Sequence, residues 1–167
     1  QVPDNDAFSF GTRDFSLELW AKFTASAGMR ALLAKDEGPG SVNKWVFLLN
    51  SGKLQLLVGN GNSQTLVGSG TFIPQLNRWY HLALTRDESL YSFYTNGVLA
   101  GSASSTFPLA NAAQPLTIGR AEGDFPFIGA LDEICVYRRS LRADEIAAVY
   151  AAGGAGLWKR LPQIVSF

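Results

Sequence analysis

An all-β fold of two antiparallel sheets, closed by one short C-terminal helix, is what this 167-residue sequence predicts. Three observations carry the prediction. Phe15–Thr24 alternates apolar and polar residues with period two. Short apolar runs recur along the chain between glycine- and asparagine-bearing turns. A single stretch near the C-terminus has helical spacing and is stopped by two glycines. Period two marks a strand with one buried face, and many short strands with tight turns mark an antiparallel sandwich.

The elements follow in order. In the first strand Phe15, Leu17, Leu19, Ala21 and Phe23 face one way, and Ser16, Glu18, Trp20, Lys22 and Thr24 the other. Trp20 on the polar side therefore needs its own cover or lies exposed. Further strands are expected at Arg30–Lys35, Lys44–Leu49, Lys53–Val58, Gln64–Val67, Trp79–Arg86, Leu90–Thr95, Val98–Ser102, Leu116–Ile118 and Ile128–Arg138. Asn50-Ser51-Gly52 and Asn96-Gly97 are hairpin signals, because Asn and Gly accept the positive φ of two-residue turns. In the strand from Trp79, the side chains of Tyr80, Leu82 and Leu84 share one face and can fill one layer of a core.

The helix is expected over Leu141–Ala152. Leu141, Ile146, Val149 and Tyr150 lie near helical spacing, Asp144 and Glu145 complement the dipole of the first turns, and Gly153-Gly154 ends it. The remaining segment, 154–167, changes character and reads as a linker or a docking edge strand; Pro162 would confine it to an edge.

Composition bounds the function. A chain of this length suits one domain, which buries about 70% of its unfolded surface without help from disulfides. Lys and Arg number 14, balanced by 14 Asp and Glu, and they are scattered. No basic face is concentrated for phosphates, so nucleic acid is excluded as a partner class. No apolar run reaches the ~20 residues that a spanning helix requires, so membrane insertion through a helix is not expected. Cys135 lies in the apolar run Ile134–Tyr137 and reads as a buried, inert thiol.

Four stretches taken together resemble the laminin-G-like / concanavalin A-like jelly-roll family, in its bacterial form. They are Asp14–Lys22, Asn77–Arg86, Tyr94–Val98, and Ile128–Leu141 running into Ala143–Ile146. The resemblance covers Val2 to about Gly153 and implies a two-sheet jelly-roll domain over 1–153. It implies a non-catalytic binding module, extracellular or on a bacterial cell surface, joined to other domains of a longer chain. Carbohydrate or glycan is the expected partner; a protein-interaction or adhesion module is the alternative, and a glycoside hydrolase a remote one. Two departures stand out. The family's additional first strand is absent, and the Gln163–Phe167 tail is a candidate to fill that edge. Arg142 stands where the family has a Ser or Thr helix cap, with Ser140 as a substitute.

Catalytic signatures are missing. No Glu-x-Asp-x-x-Glu pattern places carboxylates on one strand face, and Asp132 and Glu133, as strand neighbours, are expected on opposite faces. His81, the one histidine, is expected to be a hydrogen-bonded structural residue. Gly-x-Ser-x-Gly, Walker and Rossmann motifs are absent.

Two sets of site residues are expected. Structural calcium wants six to eight hard oxygens. Asp4, Asp6 and Asp14 offer them near the N-terminus, and Asp132 falls where the resembling family has a ligand at the sandwich rim. For a sugar, aromatic faces flanked by amide, carboxylate and guanidinium groups are the apt chemistry. The candidates are Trp20, Trp45, Phe125 and Phe127, beside Asn43, Arg120 and Asp124.

Overall fold

The computed structural model describes residues 1–153, except for the side chain of Ser69. The ten strands are β1 Phe15–Ala25, β2 Met29–Asp36, β3 Lys44–Asn50, β4 Lys53–Gly59, β5 Gln64–Thr71, β6 Trp79–Asp87, β7 Leu90–Thr95, β8 Val98–Ser104, β9 Thr117–Ile118 and β10 Ile128–Tyr137. The helix α1 spans Ala143–Ala152, and a 3-10 turn covers Asp6–Phe8. Strands pair in the orders β10-β1-β6-β7-β8 and β5-β4-β3-β2-β9, all antiparallel. The two-sheet sandwich with one short helix is the expected fold.

All strand bounds except those of β5 agree with the sequence to within two residues. β5 runs on from Val67 to Thr71 through Gly68 and Gly70, because pairing with β4 carries it past residues of poor strand propensity. Leu116 falls outside β9 and instead pairs singly with Val2, through Val2 N–H to Leu116 O and the reverse. That bridge attaches the N-terminal segment to the second sheet. The expected docking of Gln163–Phe167 lies outside the described residues.

The hairpin turns form as their residues dictate. Ser51 and Gly52 close β3–β4 with φ of 48° and 79°, and Asn96 and Gly97 close β7–β8 with 51° and 77°. Both central residues of each turn have positive φ, the pattern that matches strand twist.

The core lies between the sheets. Phe15, Leu17, Leu19 and Phe23 of β1 meet Phe47 and Leu49 of β3, Leu82 and Leu84 of β6, and Phe93 of β7. Each outer face carries a smaller cover. On the second sheet, Ala31, Ala34, Val46, Leu48 and Leu57 lie beneath Ala121 and Phe125 of the loop between β9 and β10. On the first sheet, α1 lays Ile146 against Ala83 and Tyr94, with Leu141 alongside.

The helix starts at Ala143, two residues later than expected. Arg142 is its N-cap and supplies no side-chain acceptor; Glu145 substitutes, its Oε2 accepting the Arg142 N–H at 2.9 Å. Ser140 does not cap. Ser16 takes part of that role, accepting the Leu141 N–H at 2.8 Å and donating to the Arg139 carbonyl at 2.9 Å.

Candidate functional site

The first strand's polar face is less polar than its sequence. Glu18 and His81, opposed to Cys135 and Trp20 in register, are both about 1% exposed. Tyr137 O–H donates to Glu18 Oε1 at 2.7 Å, and His81 Nε2 lies 3.5 Å from Glu18 Oε2. Neither imidazole nitrogen has a hydrogen-bond partner among the described residues, contrary to the hydrogen-bonded histidine expected from sequence. His81 is structural, yet it rests against rings: Trp20 at 5.6 Å and Tyr150 at 6.3 Å between centroids. Cys135 is half-buried rather than fully buried. Desolvation, with the Glu18 charge adding to it, pushes its thiol pKa up, which favours the protonated, less nucleophilic form. Burial and the Glu18 hydrogen bond likewise push the Tyr137 phenol far up.

Beyond the edge of α1, the same face opens into a cleft. Trp20, Trp79, Asp132 and Glu133 line it, with a volume of about 280 Å³. Register explains three of these. Lys22 pairs with Trp79 and Trp20 with both His81 and Asp132, so all their side chains stand on the outer face. Glu133 is the exception. Its φ is 48°, and the β1–β10 register slips between Glu18 and Trp20, a bulge that turns Glu133 toward its neighbour's side. The expectation that Asp132 and Glu133 face opposite ways therefore fails, because strict alternation ends at a bulge.

Trp79 is 42% exposed, and the Lys22 ammonium sits over its ring at 5.3 Å. Trp20 is half-buried, one of its neighbours being Tyr150. Asp132 Oδ1 accepts the Glu133 N–H at 2.8 Å. No side-chain donor among the described residues reaches either carboxylate. The cleft thus combines indole surface with unfilled hydrogen-bond acceptors, the pairing that suits a polyhydroxylated ring.

Of the sequence candidates, only Trp20 and Asp132 fall here. Trp45 is a core residue, 2% exposed, with its ring 5.3 Å from Phe10 and Nε1 donating to the Phe8 carbonyl. It belongs to β3, whose residues from Lys44 to Leu49 are all buried, so alternation could not reveal its role. Phe127 packs edge-on against Phe23 at 4.9 Å, and Phe125 covers the outer face of the second sheet. Asn43 donates to Glu37. Arg120 lines a separate rim cleft with Asp36, Glu37 and Glu122, while Asp124 is exposed on the turn that pairs with Ala121. The sequence reading missed Trp79 and Glu133. Trp79 was legible by parity, since it alternates with Tyr80, Leu82 and Leu84; the bulge at Glu133 left no local mark.

The calcium candidates do not converge. Asp4 pairs with the Lys35 ammonium at 2.7 Å, Asp14 accepts the Glu88 N–H at 2.8 Å, Asp6 lies in the 3-10 turn, and Asp132 is in the cleft. Among the described residues no three His, Cys, Asp or Glu side chains gather to hold a metal ion. The donor set does not fit an ion joining the N-terminal loop to the last strand. Lys35, 0% exposed, instead collects the oxygens: Asp4 Oδ1, Ser9 Oγ at 3.0 Å and Asn111 Oδ1 at 2.9 Å. A second buried lysine, Lys44, donates to the Gly38 carbonyl at 3.0 Å and pairs with Glu122.

A family model described as the concanavalin A-like lectin/glucanases superfamily matches residues 1–147. The chain belongs to that superfamily. No curated protein matches its sequence significantly. Solved structures of similar fold include a carbohydrate-binding module of family 40 from the Ruminococcus gnavus IT-sialidase, bound to α2,3-sialyllactose. It is 17% identical with a TM-score of 0.66, and the match covers 83% of each chain. Domain 4 of an extracellular arabinanase from Geobacillus stearothermophilus, in complex with arabinotriose, is 22% identical with a TM-score of 0.63; the match covers 89% of this lectin/glucanase-superfamily chain and 70% of that one. The binding domain of Paraclostridial Mosquitocidal Protein 1 is 18% identical with a TM-score of 0.63, over 89% of this chain and 39% of that one.

Proposed function

We propose that the chain is a non-catalytic glycan-binding module of a larger secreted bacterial protein, and that the cleft of Trp20, Trp79, Asp132 and Glu133 is its binding surface. The observation that carries this is Trp79. A large indole stands 42% exposed beside two carboxylates that accept only one hydrogen bond between them among the described residues, on a sheet face partly roofed by a helix. Sugar rings present apolar C–H faces to aromatics and hydroxyl donors to carboxylates, so both halves of the cleft find a complement. The similar folds named for bound sialyllactose and arabinotriose support the class of ligand.

Catalysis is disfavoured by the arrangement. A glycosidase needs two carboxyl groups flanking the scissile bond, about 5 Å or more apart. Asp132 and Glu133 are consecutive residues of one strand and line the cleft from one side. A protein partner is the second reading, favoured by Val98 and Leu99, which stand 69% and 53% exposed on the edge strand β8.

The test is a glycan-binding screen with the full chain and its Trp79→Ala variant. Binding by the parent and its loss in the variant is the expected result. Equal binding by both would move the site elsewhere on the surface, and capture of no glycan would favour the protein-partner reading.

A further inference from the structure

We infer that the cleft selects uncharged saccharides and rejects their acidic counterparts. This rests on the glycan-binding reading and adds the ligand's charge class to it. The argument begins at the bulge. Regular β pairing would send Glu133 to the inner face, against the apolar core; its φ of 48° brings it instead to the side of Asp132. Two consecutive carboxylates then share one small cleft with two indoles. A non-glycine residue held at positive φ is strained backbone, retained only where surrounding structure holds it.

The electrostatic complement follows from the partners. Asp132 spends one oxygen on the Glu133 N–H, and no cation among the described residues neutralises either group. The Lys22 ammonium, held over the Trp79 ring, offsets part of this charge and leaves the two carboxylates in excess. The cleft therefore offers oxygen acceptors and negative charge. Neutral hydroxyls supply the donors those acceptors lack. A uronate or sialate carboxylate supplies further acceptors and like charge, and juxtaposed like charges discriminate strongly between partners.

The rim cleft beside Arg120 does not offset this, since Asp36, Glu37 and Glu122 line it too. Selection at the Trp20–Trp79 cleft thus runs opposite to what a guanidinium-lined site would give.

The experiment uses an array of uncharged gluco-, galacto- and manno-oligosaccharides, each beside its C6-oxidised uronate, probed with the full chain. For every pair that is bound, the uronate is expected to bind at least about tenfold more weakly at low salt, with the gap narrowing as salt screens the charges. The paired substitution Asp132→Asn with Glu133→Gln keeps side-chain shape and is expected to bring the two members within about threefold. Uronates bound as well as or better than their neutral partners, or an unchanged preference in the double variant, would overturn the charge inference and leave glycan binding standing. No binding to any member would sink the glycan-binding reading itself.

Discussion

Tyr150 of α1 stacks on Trp20 of β1, their ring centroids 5.9 Å apart and their planes inclined by 28°. The contact joins the C-terminal helix to the first strand across the outer face of the sheet, above the buried Glu18–His81 pair. It makes Trp20 a structural residue as well as a wall of the cleft.

Trp20 and Trp79 should therefore separate on mutation. Trp20→Ala is expected to cost about 1–3 kcal/mol, because it removes the support of α1 and uncovers His81. Trp79→Ala should change stability by no more than about 0.5 kcal/mol while abolishing glycan binding. Denaturant melts beside binding curves check this; equal stability losses would contradict the assigned roles.

Lys35 is expected to replace calcium as the tie for the N-terminal segment. Lys35→Met removes the donor that gathers Asp4, Ser9 and Asn111, for a loss of about 1–3 kcal/mol. Amide exchange should accelerate in Val2–Phe10 ahead of the core strands. The parent's melting temperature should be the same in calcium and in chelator; a rise of several degrees with calcium would return the aspartates to the role of ligands.

Acid should loosen the helix first. The Arg139 guanidinium, with the Arg142 N–H adding to it, holds the Glu145 carboxyl down to about 2 from the ordinary 4.5. A depressed folded-state pKa stabilises fully above the unfolded value, and that contribution is lost as pH falls from about 4.5 through about 2. Trp fluorescence, sensitive to the Tyr150–Trp20 contact, should change over that window. Glu145→Gln should remove the transition; its persistence in the variant would assign it to another group.

Two further substitutions probe the β1 seam. Leu19→Ala, at a fully buried position, should cost about 2–5 kcal/mol. Gly129→Ala should cost at least about 3 kcal/mol, since at its φ of 152° a Cβ would sit 1.9 Å from the Lys22 carbonyl oxygen and break the second β1–β10 bulge. Urea melts giving smaller losses would show that the strands can slide apart at low cost.

Much of the fold was legible. Period two in β1, the paired positive-φ turns at Ser51-Gly52 and Asn96-Gly97, and the glycine stop after Ala152 all express local preferences. The site was legible in part. Trp20, expected as a ligand contact, and Asp132, expected as a calcium ligand, both line the cleft, whereas Trp45, Phe125 and Phe127, chosen for their residue type, pack against the core or the outer face of the second sheet. An aromatic's type does not say whether a second layer covers it.

By itself, the sequence determined the strand parity, the turn positions and the choice of a sandwich, because backbone sterics and side-chain alternation act within a few residues. Only the tertiary structure decided which polar face is roofed by α1, which lysine ammonium holds the N-terminal oxygens, and that Glu133 shares a side with Asp132. Those outcomes depend on groups far apart in the chain, such as Tyr150 and Trp20 or Lys35 and Asn111, and on a bulge set by pairing with β1. Contact between distant segments leaves no periodic trace in either one.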